Sequence, residues 1–304
     1  MKVTLDLDQL LEDGRITQED YERLSALAAK STGSLAFNIL IGFGVIAVSV
    51  ASLAFVPTAI TAVVIGVIVM MGGLILSRSG LDQWAVLANI CILIGALMTG
   101  GGITIEAEGS LMSILSVTAI FAVGSILAQS ALLAVLATLM LSASIGAGTG
   151  YFHASYSLVI QEPIITVILF SALSIGLYQL SKTLSADYER IAIASSRTGV
   201  ILVNFGFWVG SLSGDRTASG EVIISDTAYA LFWAIALVAV AIWAWQRNRR
   251  WVLNTVAVFG GIHFYTQWFE VLGASPGTVL IAGLLALGFA VGLRSINTKM
   301  KATA

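Results

Sequence analysis

His263, Gln267 and Glu270 are spaced four and three residues apart, so on a helix they share one face, with Thr266 and Gly260 beside the stripe. A neutral imidazole near a carboxylate, set in apolar surroundings, can relay a proton, coordinate a cation or hold a polar solute. The plainer use of the same groups is a hydrogen bond that joins this helix to a neighbour, and by residue type alone that use weighs more. At about 1.5 Å per residue counted from Trp251, His263 stands about 18 Å along its helix, past the middle of a bilayer core. Asn204 and Glu106 complete the candidate set for a polar pathway or ligand site, Glu106 through its place after the run Gly100-Gly101-Gly102. Asn38 and Asn89 are lone amides inside apolar runs, for which packing is the better reading.

Other chemistry is poorly represented. The chain has two histidines, and His153 has no ligand spacing around it, so no metal site is expected. The one cysteine, Cys91, has no partner. There is no GxSxG elbow, no HExxH and no phosphate loop, and Gly42-Phe43-Gly44 and Gly146-Ala147-Gly148 fall in predicted spans rather than strand–turn–helix settings. We expect no enzyme and no cofactor.

The elements that must position these groups follow from composition. Of 304 residues, 58% are hydrophobic and 11% charged, with a net charge of −2. A soluble domain carries about 25% charged residues. This excludes a soluble globular domain, a disordered chain and a disulfide-stapled module, and the balanced charge gives no footing for nucleic acid. The class expected is an all-α, polytopic membrane helix bundle.

Ten spans are predicted: Leu35–Phe55, Thr58–Ser77, Trp84–Thr104, two within Leu111–Gly148 divided near Gln129-Ser130, Pro163–Leu180, Thr198–Gly214, Asp226–Gln246, Trp251–Glu270 and Thr278–Leu293. No charged residue lies in the middle of one, which argues against a proton pump with buried carboxylates. Charge supports the division at Gln129. With ten spans and both termini cytoplasmic, every Lys and Arg except Arg216 falls inside, whereas one long helix over Leu111–Gly148 would destroy that bias. Acids sort the other way: Glu106, Glu108, Glu162, Asp215, Glu221, Asp226 and Glu270 fall outside.

Glycines divide into two kinds. Gly206, Gly210 and Gly214, and likewise Gly288 and Gly292, repeat every four residues and predict smooth faces for close helix packing. The consecutive Gly100, Gly101 and Gly102 lower helix propensity, so a broken third helix of the kind that frames transporter sites is the alternative to simple packing there. Five plus five helices would suit an inverted repeat, but the short Val56-Pro57 and the long Ser181–Arg197 connections do not match.

Residues 1–33 stand apart, with seven acids and four bases. Leu7, Leu10 and Leu11 form a short stripe, Asp13-Gly14 reads as a turn, and Thr17 with Asp20 reads as a helix start ahead of Tyr21, Leu24 and Leu27. We expect a cytoplasmic amphipathic helical hairpin over 1–33, a transmembrane domain over 34–294 and a cytoplasmic tail over 295–304. Neither a signal peptide nor a lipidation motif is expected.

The segments LEDGRITQEDYERLSAL (Leu11–Leu27), LIGFGVIAVSVASLAF, IGALMTGGGITIEAEG and LAQSALLAVLATLML resemble the bacterial predicted membrane proteins built around domain of unknown function 2157, over roughly the first half of the chain. The resemblance implies a multi-helix protein of the bacterial cytoplasmic (inner) membrane behind a small cytoplasmic helical piece. It brings no activity and no site residues. Two functions remain. One is a small-solute or ion permease with its pathway among the third, seventh and ninth helices. The other is a non-transporting scaffold or sensor whose N-terminal hairpin binds a cytoplasmic protein.

Overall fold

A continuous apolar run gives a helix no internal reason to stop, so caps and turns set its ends. The computed structural model describes residues 10–11, 13–79, 81, 84–152, 155–216 and 221–302, with the backbone alone for 25–36, 149–152, 155–158, 293 and 295–302. Its helices are α1 (Gln18–Phe55), α2 (Ala59–Ser77), α3 (Ala85–Glu106), α4 (Leu111–Leu127), α5 (Ala131–Ala143), α6 (Pro163–Ser181), α7 (Ala186–Ser213), α8 (Asp226–Gln246), α9 (Arg250–Leu272) and α10 (Pro276–Ala302). Two antiparallel ribbons interrupt them, β1 (Ala147–Phe152) with β2 (Ser155–Ile160), and β3 (Asp215–Arg216) with β4 (Val222–Ile224). Six helices are long and apolar enough to cross a membrane: α1 over Phe37–Phe55, α2, α3, α6, α7 and α8. The shorter apolar helices are α4, α5 and the Pro276–Gly292 part of α10.

Thr17 caps α1 reciprocally, accepting from Asp20 N at 3.1 Å while Thr17 N donates to Asp20 Oδ2 at 3.4 Å. Before it, Gly14 takes φ +67° and the chain closes through Gly14 N to Leu11 O, as the Asp13-Gly14 turn required. The expected hairpin needs correction on its second arm. Here α1 does not end near Gly33 but runs unbroken into the first apolar stretch, 38 residues or about 57 Å. Between Lys30 and Phe37 there is no proline, and Gly33 lowers helix propensity without stopping the helix. Most of the first arm, including Leu7, lies outside the described residues.

Gln129 breaks the long apolar stretch. It adopts φ +49°, its carbonyl accepts from Arg190 Nη2 at 3.0 Å, and Val117, Phe121, Leu133 and Ala137 close into one buried cluster. In a single helix Val117 and Ala137 would be about 30 Å apart. The fifth span, expected to reach Gly148, ends at Ala143 instead. Gly146 turns the chain with φ +81° and Ala147-Gly148 enter β1, so this glycine pair is strand and not span. At the other termini, α7 starts twelve residues before the expected Thr198 and α10 continues as helix through most of the expected tail.

The chain divides into two compact units. Met1–Met140 with Ser185–Ile191 makes one, and Leu141–Leu184 with Ala192–Ala304 makes the other. In the first, α2 and α3 run antiparallel with their backbones in contact. A Cβ on Gly66 would sit 2.6 Å from Thr99 N, one on Gly73 would sit 2.8 Å from Ile92 N, and one on Gly102 would sit 2.7 Å from Ala59 O. Gly100 instead opens toward α4, where a Cβ would meet Phe121 at 2.8 Å. The three glycines therefore leave α3 continuous, and two of them serve close approach in different directions. Asn38 of α1 is buried and accepts from Leu87 N at 3.3 Å, capping the first turn of α3, whose own N-cap Trp84 supplies no side-chain bond. Asn89 is exposed.

In the second unit, α6 to α10 form an up-and-down series. Ser196 Oγ donates to Ser174 O at 2.9 Å between α7 and α6. The contacts Arg197–Trp251, Phe205–Phe259 and Trp208–Thr266 rise together in number, so α7 and α9 run parallel, with α8 antiparallel to both. Gly206 and Gly210 form the packing face that their spacing predicts, against Thr166 and Val167 of α6 and the ring of Tyr229 of α8. Gly214 differs, holding φ +67° in the turn to β3. Gly288 and Gly292 have nothing within 4 Å of a Cβ, so among the described residues their stripe on α10 is not a packing face.

Candidate functional site

Aromatic side chains with one polar atom bridge α7, α8 and α9. Trp233 of α8 is 1% exposed, and its Nε1 donates to Asn204 Oδ1 of α7 at 3.0 Å. The Asn204 amide nitrogen donates to Val200 O at 2.8 Å, one turn back in its own helix. The His263 ring lies against Trp233 edge to face, with centroids 4.9 Å apart. Trp208 Nε1 of α7 donates to Thr266 Oγ1 of α9 at 2.9 Å, and Tyr265 OH donates to Ala282 O of α10 at 2.9 Å. Each of these indole or phenol groups has an acceptor, as the burial of a polar hydrogen requires.

One stretch of α9 departs from this pattern. His263 Nδ1, Gln267 Nε2 and Trp268 Nε1 are buried atoms with no hydrogen-bond partner among the described residues. These three residues, with Phe264, Val271 and Leu272, line a cavity of about 400 Å³. The six positions form one stripe two residues wide along the helix, and apolar atoms make up nearly all of the cavity wall.

The five candidate residues therefore separate. His263 and Gln267 share the cavity, and Asn204 joins them only through the ring of Trp233, with its amide already bonded on both sides. Glu270 is exposed near the end of α9 and is not among the lining residues. Glu106 is the exposed last residue of α3 and belongs to the other unit. His153 lies outside the described residues, and among those described no three His, Cys, Asp or Glu side chains form a metal-binding group.

Sequence reasoning passed over Trp268, Trp233, Trp208 and the Asp215–Tyr229 pair. The available signal was position for Trp233, which stands about two turns inside its helix, away from the helix ends where interfacial tryptophans gather. Asp215, counted above with the outer acids, is 2% exposed and accepts from Tyr229 OH at 3.3 Å, so it adds nothing to an exposed acidic face. No family model, no curated protein and no solved structure matches the chain.

Proposed function

We propose a ten-crossing protein of the bacterial cytoplasmic membrane, both termini cytoplasmic, that acts as a small-solute or ion permease with its binding residues on α9. Membership in the family of domain of unknown function 2157 belongs to the same proposal and rests on the segments quoted above. Charge supports the crossing number, since it leaves Arg216 as the lone base outside. The bond from Arg190 to Gln129 O adds support, because it sets the uncharged α4–α5 turn beside a basic residue near the start of α7. Both ribbons, β1–β2 and β3–β4, then fall on the outer side, clear of hydrocarbon where open sheet edges are excluded. Cysteines placed at Ser130 and Glu108 in a Cys91→Ala background test this with a membrane-impermeant maleimide on intact cells. Labelling at Glu108→Cys and protection at Ser130→Cys are expected, and labelling of Ser130→Cys from outside sinks the ten-crossing arrangement.

The observation that carries the permease reading is the set of unpartnered nitrogens of His263, Gln267 and Trp268 beside a cavity. Polar groups in hydrocarbon are costly, and where they have no protein partner a ligand is the natural occupant. Uptake or efflux in reconstituted vesicles is expected to fall at least tenfold in His263→Ala and a few-fold in Glu270→Gln. Unchanged flux in both removes α9 as the binding helix.

A second reading, the sensor or scaffold, draws on α1. Its charged first half and its apolar second half are one uninterrupted helix, so a protein bound at the cytoplasmic end would act directly on the first span. Deleting Met1–Lys30 separates the two readings: a permease keeps flux, and a sensor loses its function entirely.

A further inference from the structure

Arginines converge where α8 turns into α9. Arg247, Asn248 and Arg249 make up the whole connection, and Arg250 opens α9. Asn248 takes φ +53°, while Arg247 N and Arg249 N donate to Trp243 O and Ala244 O at 3.0 and 2.8 Å. Backbone bonds thus fix the turn without using a side chain. Arg197 of α7 lays its guanidinium over the Trp251 ring, 4.9 Å from the ring centre, and so stands level with the same turn. Arg197, Arg247 and Arg249 are exposed, and neither Arg247 nor Arg249 has a side-chain partner among the described residues.

No carboxylate of the second unit offsets these charges. Glu162 and Asp226 stand at the starts of α6 and α8, Glu270 lies near the end of α9, and Asp215 and Glu221 belong to the β3–β4 connection. Along α8 or α9 the separation from the turn is about 30 Å. On α7 the nearest acids, Asp187 and Glu189, precede Arg197 by about 12–15 Å of helix. All of these lie beyond the Debye length of about 8 Å at physiological ionic strength. Sorting of bases by side requires only that arginines stay on one side of the membrane. It does not require that one from α7 be stacked beside those of the next turn.

The surface leading to the turn indicates which anion it suits. Leu231, Ile235, Val238, Ile242 and Trp245 recur along α8 at intervals of four and three, each more than half exposed, and form one apolar stripe that ends at the arginines. Since α8 is long and apolar enough to cross a membrane, the stripe lies at acyl-chain depth, and the exposed Trp243 and Trp245 lie where tryptophan favours the headgroup level. A free anion or an acidic protein would use the arginines alone. A phospholipid uses both, with its phosphate on the planar guanidinium forks and its chains on the stripe.

We infer that the α8–α9 turn together with Arg197 binds the headgroup of an anionic phospholipid whose acyl chains lie along α8. This site is separate from the α9 stripe of the permease reading and needs only that α7 and α8 cross a bilayer. Native mass spectrometry of the full-length protein in detergent, titrated with dioleoylphosphatidylglycerol or dioleoylphosphatidylcholine, tests it. Retention of one phosphatidylglycerol per chain is expected, with about tenfold preference over phosphatidylcholine. Arg247→Gln combined with Arg249→Gln should weaken it about tenfold or more, and Arg197→Gln about fivefold. Arg216→Gln, at the opposite end of α7, should leave it unchanged. Equal retention of the two lipids by the unaltered protein overturns the inference without recourse to any variant. So does an equal loss in Arg216→Gln. Displacement of the lipid by equimolar inorganic phosphate or polyglutamate also overturns it, by showing a surface for free or protein-borne anions.

Discussion

Within one apolar chain, α2–α3 and α7–α8–α9 solve the same packing problem in opposite ways. Lipid offers a helix as good an apolar environment as another helix does, so association must come from close contact or from hydrogen bonds. The α2–α3 pair removes side chains altogether. Gly66 and Gly73 on one helix, and Gly95 and Gly102 on the other, bring backbone against backbone, and Thr99, whose hydroxyl faces Gly66, bonds its own helix at Gly95 O. The α7–α9 group uses the largest side chains available and ties them through Trp233–Asn204 and Trp208–Thr266. Backbone contact leaves no room for a ligand. The unpaired nitrogens of α9 lie in that second region.

The largest expected effect breaks the first kind of contact. Gly95→Leu places a side chain against the Met70 backbone, which cannot move without displacing α2, so the cost should reach or exceed the usual overpacking range of about 1–3 kcal/mol. Gly101→Leu, which faces open space in the next turn, is the control and should stay within about 0.5 kcal/mol of the parent. Thermal melts in one detergent check both, and equal damage from the two would refute close approach as the reason for the glycines. Next in size is the aromatic tie. Trp233→Phe leaves Asn204 Oδ1 buried without its donor and should cost about 1–2 kcal/mol, while a double-mutant cycle with Asn204→Leu should return a coupling of about 0.6–1.5 kcal/mol. A coupling near zero would mean that the ring, and not its N–H, joins α7 to α8. The smallest effect is at the turn between α4 and α5. Gln129 holds φ +49°, so Gln129→Gly should be neutral or stabilising by up to about 1 kcal/mol, whereas Gln129→Val should destabilise. The reverse order would argue against the left-handed turn there.

Much of the helix order was legible. Among the described residues a helix occurs at each of the ten apolar stretches that were marked, six of them long and apolar enough to cross a membrane, and the break near Gln129 was legible in the polar Gln129-Ser130 pair. The Thr17–Asp20 cap and the Asp13-Gly14 turn were legible because they are local, each contained within four residues. The length of α1 was misjudged because a change from charged to apolar composition marks a membrane boundary, which a helix crosses without a break. The β1–β2 ribbon was hidden for a related reason: Gly146-Ala147-Gly148 is as apolar as a span, and only the positive φ at Gly146 separates the two. At the site, the spacing of His263 and Gln267 marked a common face, but Trp268 passed as one more aromatic residue of an apolar helix.

By itself the sequence determined a bundle of apolar helices, six of them long and apolar enough to cross a membrane, and the approximate place of each. Those properties add up residue by residue along a single segment. Only the tertiary structure decided which faces have neighbours. Gly206 and Gly210 on α7, and Gly288 and Gly292 on α10, carry the same four-residue spacing, yet the first pair meets α6 and α8 while the second meets nothing within 4 Å among the described residues. Likewise Trp208, Trp233 and Trp268 are equal as residues, and only the helix opposite each one decides whether its N–H is satisfied or left at a cavity. The physical reason is that apolar surface satisfies lipid and protein alike, so composition cannot tell one neighbour from the other.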